Sequence, residues 1–99
     1  MAANYEFLLS PARLKICAYL AVAGEASFTE LRRETGLTDG NLAVQLTKLQ
    51  AEGFVTPRKK VSEGRRANTY WRLTRFGIEE LRKFLNWAKS IANELEKDD

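Results

Sequence analysis

The chain has 99 residues and a mass of 11.3 kDa, room for one small domain and no more. With one Cys and no His, it lacks a disulfide framework, an imidazole base, a His or multi-Cys metal site, and any Ser-His-Asp or Cys-His triad. The formal charge of +3 is unevenly spread. Residues 57–75 carry Arg58, Lys59, Lys60, Arg65, Arg66, Arg72 and Arg75 against Glu63 alone, a net +6, which leaves −3 for the other 80 positions. A concentrated basic segment on a mildly acidic chain points to a polyanionic partner.

No apolar run is long enough to cross a bilayer, and no basic stretch precedes an apolar core at the amino end. With a lone Cys, the expected location is cytoplasmic, with no membrane partner. The acidic residues fall mostly on polar helix faces, where solvated charge explains them. An enzyme, a bound cofactor or a metal site is therefore not expected.

In chain order, Ser10-Pro11 predicts a helix start, with Ser10 capping free amides and Pro11 at the first helical position. Leu14, Ile16, Cys17 and Leu20 carry this helix to about Gly24. Cys17, among apolar neighbours, reads as a buried, inert thiol. Ser27-Phe28 leaves room only for a bridge or a short edge strand. Thr29 is expected to cap a short second helix with Glu30 in its first turn, and Gly36 to stop it. Thr38 then caps a third helix that runs to Gly53, with Leu42, Leu46 and Leu49 as one apolar stripe. Phe54 to Val61 reads as a strand, with Pro57 marking an edge, and 62–67 as a basic turn. Asn68 to Leu73 forms the returning strand. Thr74 caps a last helix that runs to about Leu95.

Two helices separated by a glycine-containing turn, with a hairpin after the second, form a helix-turn-helix that presents its second helix to a major groove. The hairpin extends beside it as a wing. The expected reading surface is Thr38, Gly40, Asn41, Ala43, Val44, Thr47 and Lys48. The small residues allow close approach, Asn41 and Thr47 hydrogen-bond bases or phosphates, Val44 meets a thymine methyl, and Lys48 meets a phosphate. Arg58, Lys59 and Lys60 on the wing strand, with Arg65 and Arg66 at its tip, are the expected backbone or minor-groove contacts. Along the last helix Leu81, Phe84, Ala88, Ile91 and Leu95 make a heptad seam, widened by Leu85 and others. Part of this arc is expected to pack at home and part to meet a second copy, so Leu81, Phe84, Leu85, Ala88, Ile91 and Leu95 are the candidate dimerisation residues.

Phe28-Thr29-Glu30-Leu31, Gly36-Leu37-Thr38-Asp39-Gly40-Asn41-Leu42, Leu46, Lys48-Leu49 and Glu52-Gly53-Phe54-Val55 together resemble the winged helix-turn-helix core of MarR-like and ArsR-like prokaryotic transcriptional regulators. They are most similar to the short, single-domain variety. Leu73-Thr74-Arg75-Phe76-Gly77 is similar to the Leu-Thr-x-x-Gly entry into the helix after the wing, and Ser10-Pro11-x-Arg13-Leu14 to the start of the first helix. The resemblance covers about residues 8–90. It implies a mainly α, α+β fold in the order α-(β)-α-α-β-β-α, ending in a long helix. The whole of 1–99 would be one DNA-binding domain, with a dimerisation helix at about 75–95. The implied function is a homodimeric, sequence-specific double-stranded DNA-binding regulator of repressor type. Where these families often carry Ser-Arg-His in the recognition helix, this chain has Ala43-Val44-Gln45, so a cationic groove contact is missing. A winged-helix module that docks on protein within a transcription complex remains the alternative. No added sensor domain is expected, so a small-molecule effector, of unknown identity, would be confined to the dimer interface.

Overall fold

The computed structural model describes residues 4–61 and 67–97. A short 3-10 helix (Asn4–Leu8) leads into α1 (Pro11–Ala23), β1 (Ala26–Ser27), α2 (Phe28–Thr35), α3 (Asp39–Ala51), β2 (Val55–Val61), β3 (Ala67–Leu73) and α4 (Arg75–Lys97). The three strands form one antiparallel sheet in the order β1-β3-β2, with Ala26 opposite Trp71 and Val55 opposite Leu73. Pro57 lies on the edge strand β2, where its missing N–H breaks little of the ladder.

Local chemistry sets most boundaries. The Ser10 hydroxyl accepts the Arg13 amide at 3.3 Å, with Pro11 as first residue of α1. The cap of α2 is Ser27, not Thr29: its hydroxyl accepts the Glu30 amide at 3.1 Å. Both residues are good caps, but Ala26 is buried and paired with Trp71. This pairing holds 26–27 extended, so the helix begins at once at Phe28. Gly36 closes α2 at φ 71°, a left-handed conformation that side-chain-bearing residues rarely take. Thr38 follows as the cap of α3, accepting the Asn41 amide at 3.1 Å. The α3 helix ends at Ala51, just short of the expected end at Gly53, which turns the chain at φ 83°.

The core collects Leu8, Ile16, Cys17, Leu20, Ala26, Leu31, Leu42, Leu46, Leu49, Phe54, Val55, Leu81 and Phe84. Truncating any one of its fully buried leucines to Ala should cost about 2–5 kcal/mol. Burial pushes the Cys17 thiol up to about 12, so its thiolate is essentially absent at neutral pH. The 3-10 helix was not expected from the sequence. It is held by tertiary packing: Leu8 is fully buried, Phe7 lies 5.5 Å from the Phe54 ring, and Tyr5 lies 6.5 Å from the Trp87 ring on α4.

Thr74 fastens the start of β2 to the start of α4. Thr74 donates its amide to the Phe54 carbonyl at 3.0 Å and its hydroxyl to the Gly53 carbonyl at 2.5 Å, while the same hydroxyl accepts the Gly77 amide at 2.9 Å. Gly77 lies against the Phe54 backbone. A Cβ there would stand 3.0 Å from the Phe54 carbonyl carbon and closer still to its oxygen. In an open helix Gly→Ala gains about 1 kcal/mol, but here a backbone group would have to move. Gly77→Ala is therefore expected to destabilise the protein by more than about 2 kcal/mol. Urea denaturation checks this, and a variant as stable as wild type would contradict it.

Candidate nucleic-acid interface

Burial fixes the rotation of α3. Leu42, Leu46 and Leu49 are buried, and Gly40, Asn41, Ala43, Val44, Thr47, Lys48 and Ala51 are exposed. Val44 is 50% exposed, and Ala43, Val44, Thr47 and Lys48 line a shallow, mainly apolar notch on this face. The structure thus brings together on one outward surface the residues that the sequence pattern assigned to it.

Hydrogen bonding limits what each can offer. The Thr38 hydroxyl accepts from the Asn41 amide and keeps its proton for another acceptor. The Thr47 hydroxyl donates to the Ala43 carbonyl at 3.0 Å, so in this conformation it is left with acceptor capacity. At the start of α3, Arg32 of α2 pairs with Asp39 at 3.2 Å, which offsets the one carboxylate at that end. Lys48 makes no ion pair among the described residues and leaves the face with a free cation.

Three residues of this region carried no sequence signal as site residues. Gln45 is half-buried and accepts a hydrogen bond from Arg13 of α1 at 3.1 Å. Its amide donates in turn to the Asn41 side-chain oxygen at 3.1 Å. Glu25, just before β1, is the third. Its carboxylate takes a hydrogen bond from the Lys60 ammonium and lies 3.8 Å from the Arg58 guanidinium. Two of the three basic residues on β2 are therefore held by one carboxylate. The third, Lys59, lies on the opposite face of the strand and has no carboxylate partner among the described residues. Lys60 also sits 5.1 Å from the Tyr70 ring. Arg65 and Arg66, the expected wing-tip contacts, lie outside the described residues.

On α4 the predicted seam divides. Leu81 and Phe84 are buried in the protomer's own core and Ala88 is half-buried. Leu85, Ile91 and Leu95 are 52%, 42% and 67% exposed. Among the described residues no group of His, Cys, Asp and Glu is arranged to hold a metal ion, and no helix is long and apolar enough to cross a membrane.

The Glu25 pair has a pH consequence. The hydrogen bond from Lys60, then the charges of Lys60, Arg58 and Arg72, hold the Glu25 carboxyl below the usual carboxylate range. A lowered folded-state value stabilises the fold above the unfolded value of about 4.3, and that contribution is lost as pH falls through the folded value. Glu25→Gln is therefore expected to be less stable than wild type at pH 7, with the difference closing in strong acid. Urea midpoints at the two pH values check this. A difference that did not change with pH would contradict it.

The winged helix DNA-binding domain family matches residues 12–92 of the chain. An uncharacterised protein of Methanocaldococcus jannaschii is 32% identical over 87 residues, covering 88% of this chain and 94% of that protein. A transcriptional regulator homologue from Pyrococcus horikoshii OT3 superposes with a TM-score of 0.81 at 31% identity, over 91% of this chain and 88% of its own. A MarR family transcriptional regulator from Silicibacter pomeroyi DSS shares the fold at a TM-score of 0.75 and 21% identity, over 95% of this chain and 61% of its own. With its helix-turn-helix, its wing strands and this match, the chain belongs to the winged helix DNA-binding domain family and has the fold of MarR-like transcriptional regulators.

Proposed function

We propose that the protein is a sequence-specific double-stranded DNA-binding regulator that acts as a homodimer in the cytoplasm and represses by occupying its operator. The observation that carries the reading is the outward face of α3: small, polar and apolar groups opposite a buried leucine stripe, with Lys48 as its free cation. Such a face suits a major groove, where Asn41 can pair with an adenine edge and Val44 can cover a thymine methyl. Lys59 and the rest of the basic segment supply phosphate contacts. The whole chain acts as one domain, and no catalysis, metal or cofactor enters this account.

The dimer reading rests on α4. Ile78, Leu85, Ile91 and Leu95 stay 40–67% exposed along one helix. Ile78 and Leu85 line an open groove of about 750 Å³ together with Leu20, Leu73 and Leu81, and Ile91 and Leu95 line a separate shallow hollow further along the helix. A second copy laid along this helix would cover them and place two recognition helices on one duplex. Repression needs nothing beyond this, since an occupied operator excludes other proteins.

The first test is selection of bound sequences from a random duplex pool, followed by titration of variants against selected and scrambled duplexes at one salt concentration. Asn41→Ala is expected to keep thermal stability and lower the ratio of specific to non-specific affinity by about 1–3 kcal/mol; Val44→Ala should lower it by less. Lys48→Ala should weaken both modes alike and flatten the slope of log affinity against log salt by about one unit. If neither Asn41→Ala nor Val44→Ala moved the ratio, docking on a protein partner would be the better account of this face.

A second expectation concerns assembly. Replacing Ile91 and Leu95 together by Glu should give a folded monomer with weaker operator binding, because the two half-sites are no longer linked. Sedimentation at tens of micromolar checks this. A wild-type protein that sediments as a monomer there would contradict the dimer.

A further inference from the structure

The side chains of Arg13, Gln45 and Asn41 form one directed hydrogen-bond chain that ends on the recognition face. Its fixed end is built twice over. The Arg13 Nε donates to the Phe7 carbonyl at 2.7 Å, and the guanidinium lies 4.1 Å from the centre of the Phe7 ring. Phe7 in turn packs against Phe54 in the core. The Arg13 Nη1 then donates to the Gln45 Oε1 at 3.1 Å, and the Gln45 Nε2 donates to the Asn41 Oδ1 at 3.1 Å. Every donor along this path meets an acceptor, so each link selects the orientation of the next. With Arg13 able only to donate, Gln45 must turn its oxygen to Arg13 and its amide nitrogen to Asn41. Asn41 must then turn its oxygen to Gln45.

A free, exposed asparagine amide is two-fold ambiguous, and binding a base edge would have to select one orientation. Bidentate recognition of adenine needs one acceptor site on the oxygen and one N–H on the nitrogen. The internal bond uses one of the two acceptor sites of Oδ1 and neither N–H, so it orients the amide without consuming that capacity. We infer that Arg13 and Gln45 are positioning residues for sequence discrimination: they pre-orient the Asn41 amide for a base edge. The inference deepens the reading of α3 as the base-reading helix and rests on it. It also gives a role to the position where a histidine often stands in similar families, since Gln45 points back to α1 and acts through Asn41.

The test is a double-mutant cycle on the selected and scrambled duplexes. Gln45→Met keeps the length of the side chain and removes both hydrogen bonds without adding charge. Arg13→Met keeps the aliphatic stem of the anchor. Each is expected to lower the ratio of specific to non-specific affinity by about 3- to 10-fold, the scale of freeing one ordered side chain. In an Asn41→Ala background neither should lower it further. Gln45→Glu adds a distinct readout. It strengthens the Arg13 end but offers Asn41 only an acceptor, so the amide turns over and discrimination should fall although the fold is kept. Two results overturn the inference while leaving α3 as the reader. One is that Asn41→Ala lowers the ratio while Gln45→Met and Gln45→Glu leave it unchanged. The other is that the losses from Gln45→Met and Asn41→Ala multiply. An Asn41→Ala variant with an unchanged ratio overturns both the inference and the reading on which it rests.

Discussion

Everything that α3 presents outward depends on the burial of Leu42, Leu46 and Leu49. Three leucines at this spacing leave the helix one low-energy rotation about its axis. A turn of the helix that exposed them would forfeit several kcal/mol, far more than any single surface contact could return. The face made of Gly40, Asn41, Val44, Thr47 and Lys48 is therefore set by the core and not by its own chemistry. Because nothing in the free protein asks these outward residues to pack, they are available for recognition.

The wing is placed by a second constraint. Thr74 satisfies the carbonyls of Gly53 and Phe54 and the amide of Gly77, and the missing side chain at Gly77 lets α4 close onto the Phe54 backbone. The start of β2 and the end of β3 are thus fixed beside the C-terminal end of α3. On the sheet itself Glu25 holds Lys60 and Arg58, which fastens the wing strand to the segment before β1. This contact lowers the free positive charge of the strand while it fixes its direction. Long-range attraction to a polyanion is reduced to obtain a defined wing.

Most of the fold was legible because its signals are local. The Ser10-Pro11 start, the Gly36 stop, the Thr38 cap and the leucine stripe each act within one turn of helix. Where two local signals competed, tertiary structure decided: Ser27 caps α2 rather than Thr29 because Ala26 is already pinned to Trp71. The 3-10 helix at Asn4–Leu8 has no periodicity to read and exists by packing on Phe54 and Trp87. The roles of Arg13, Gln45 and Glu25 were hidden for a related reason. Each pairs with a residue more than 30 positions away, and helical angles alone place Gln45 at a flank without showing which element meets it there. On α4 the heptad spacing was plain, but spacing does not say which members the protomer uses for itself; Leu81 and Phe84 are so used, while Ile91 and Leu95 are not.

If the outward face of α3 reads DNA, duplex binding must perturb that face before any other. The most direct measurement is a titration of the isotopically labelled protein with a selected duplex, followed by the backbone and side-chain amide resonances. Gly40, Asn41, Val44, Thr47 and Lys48 are expected to shift most, together with the side-chain amides of Asn41 and Gln45, and Lys59 is expected to shift with any duplex. Shifts confined to α4, with the α3 resonances unmoved, would contradict that reading.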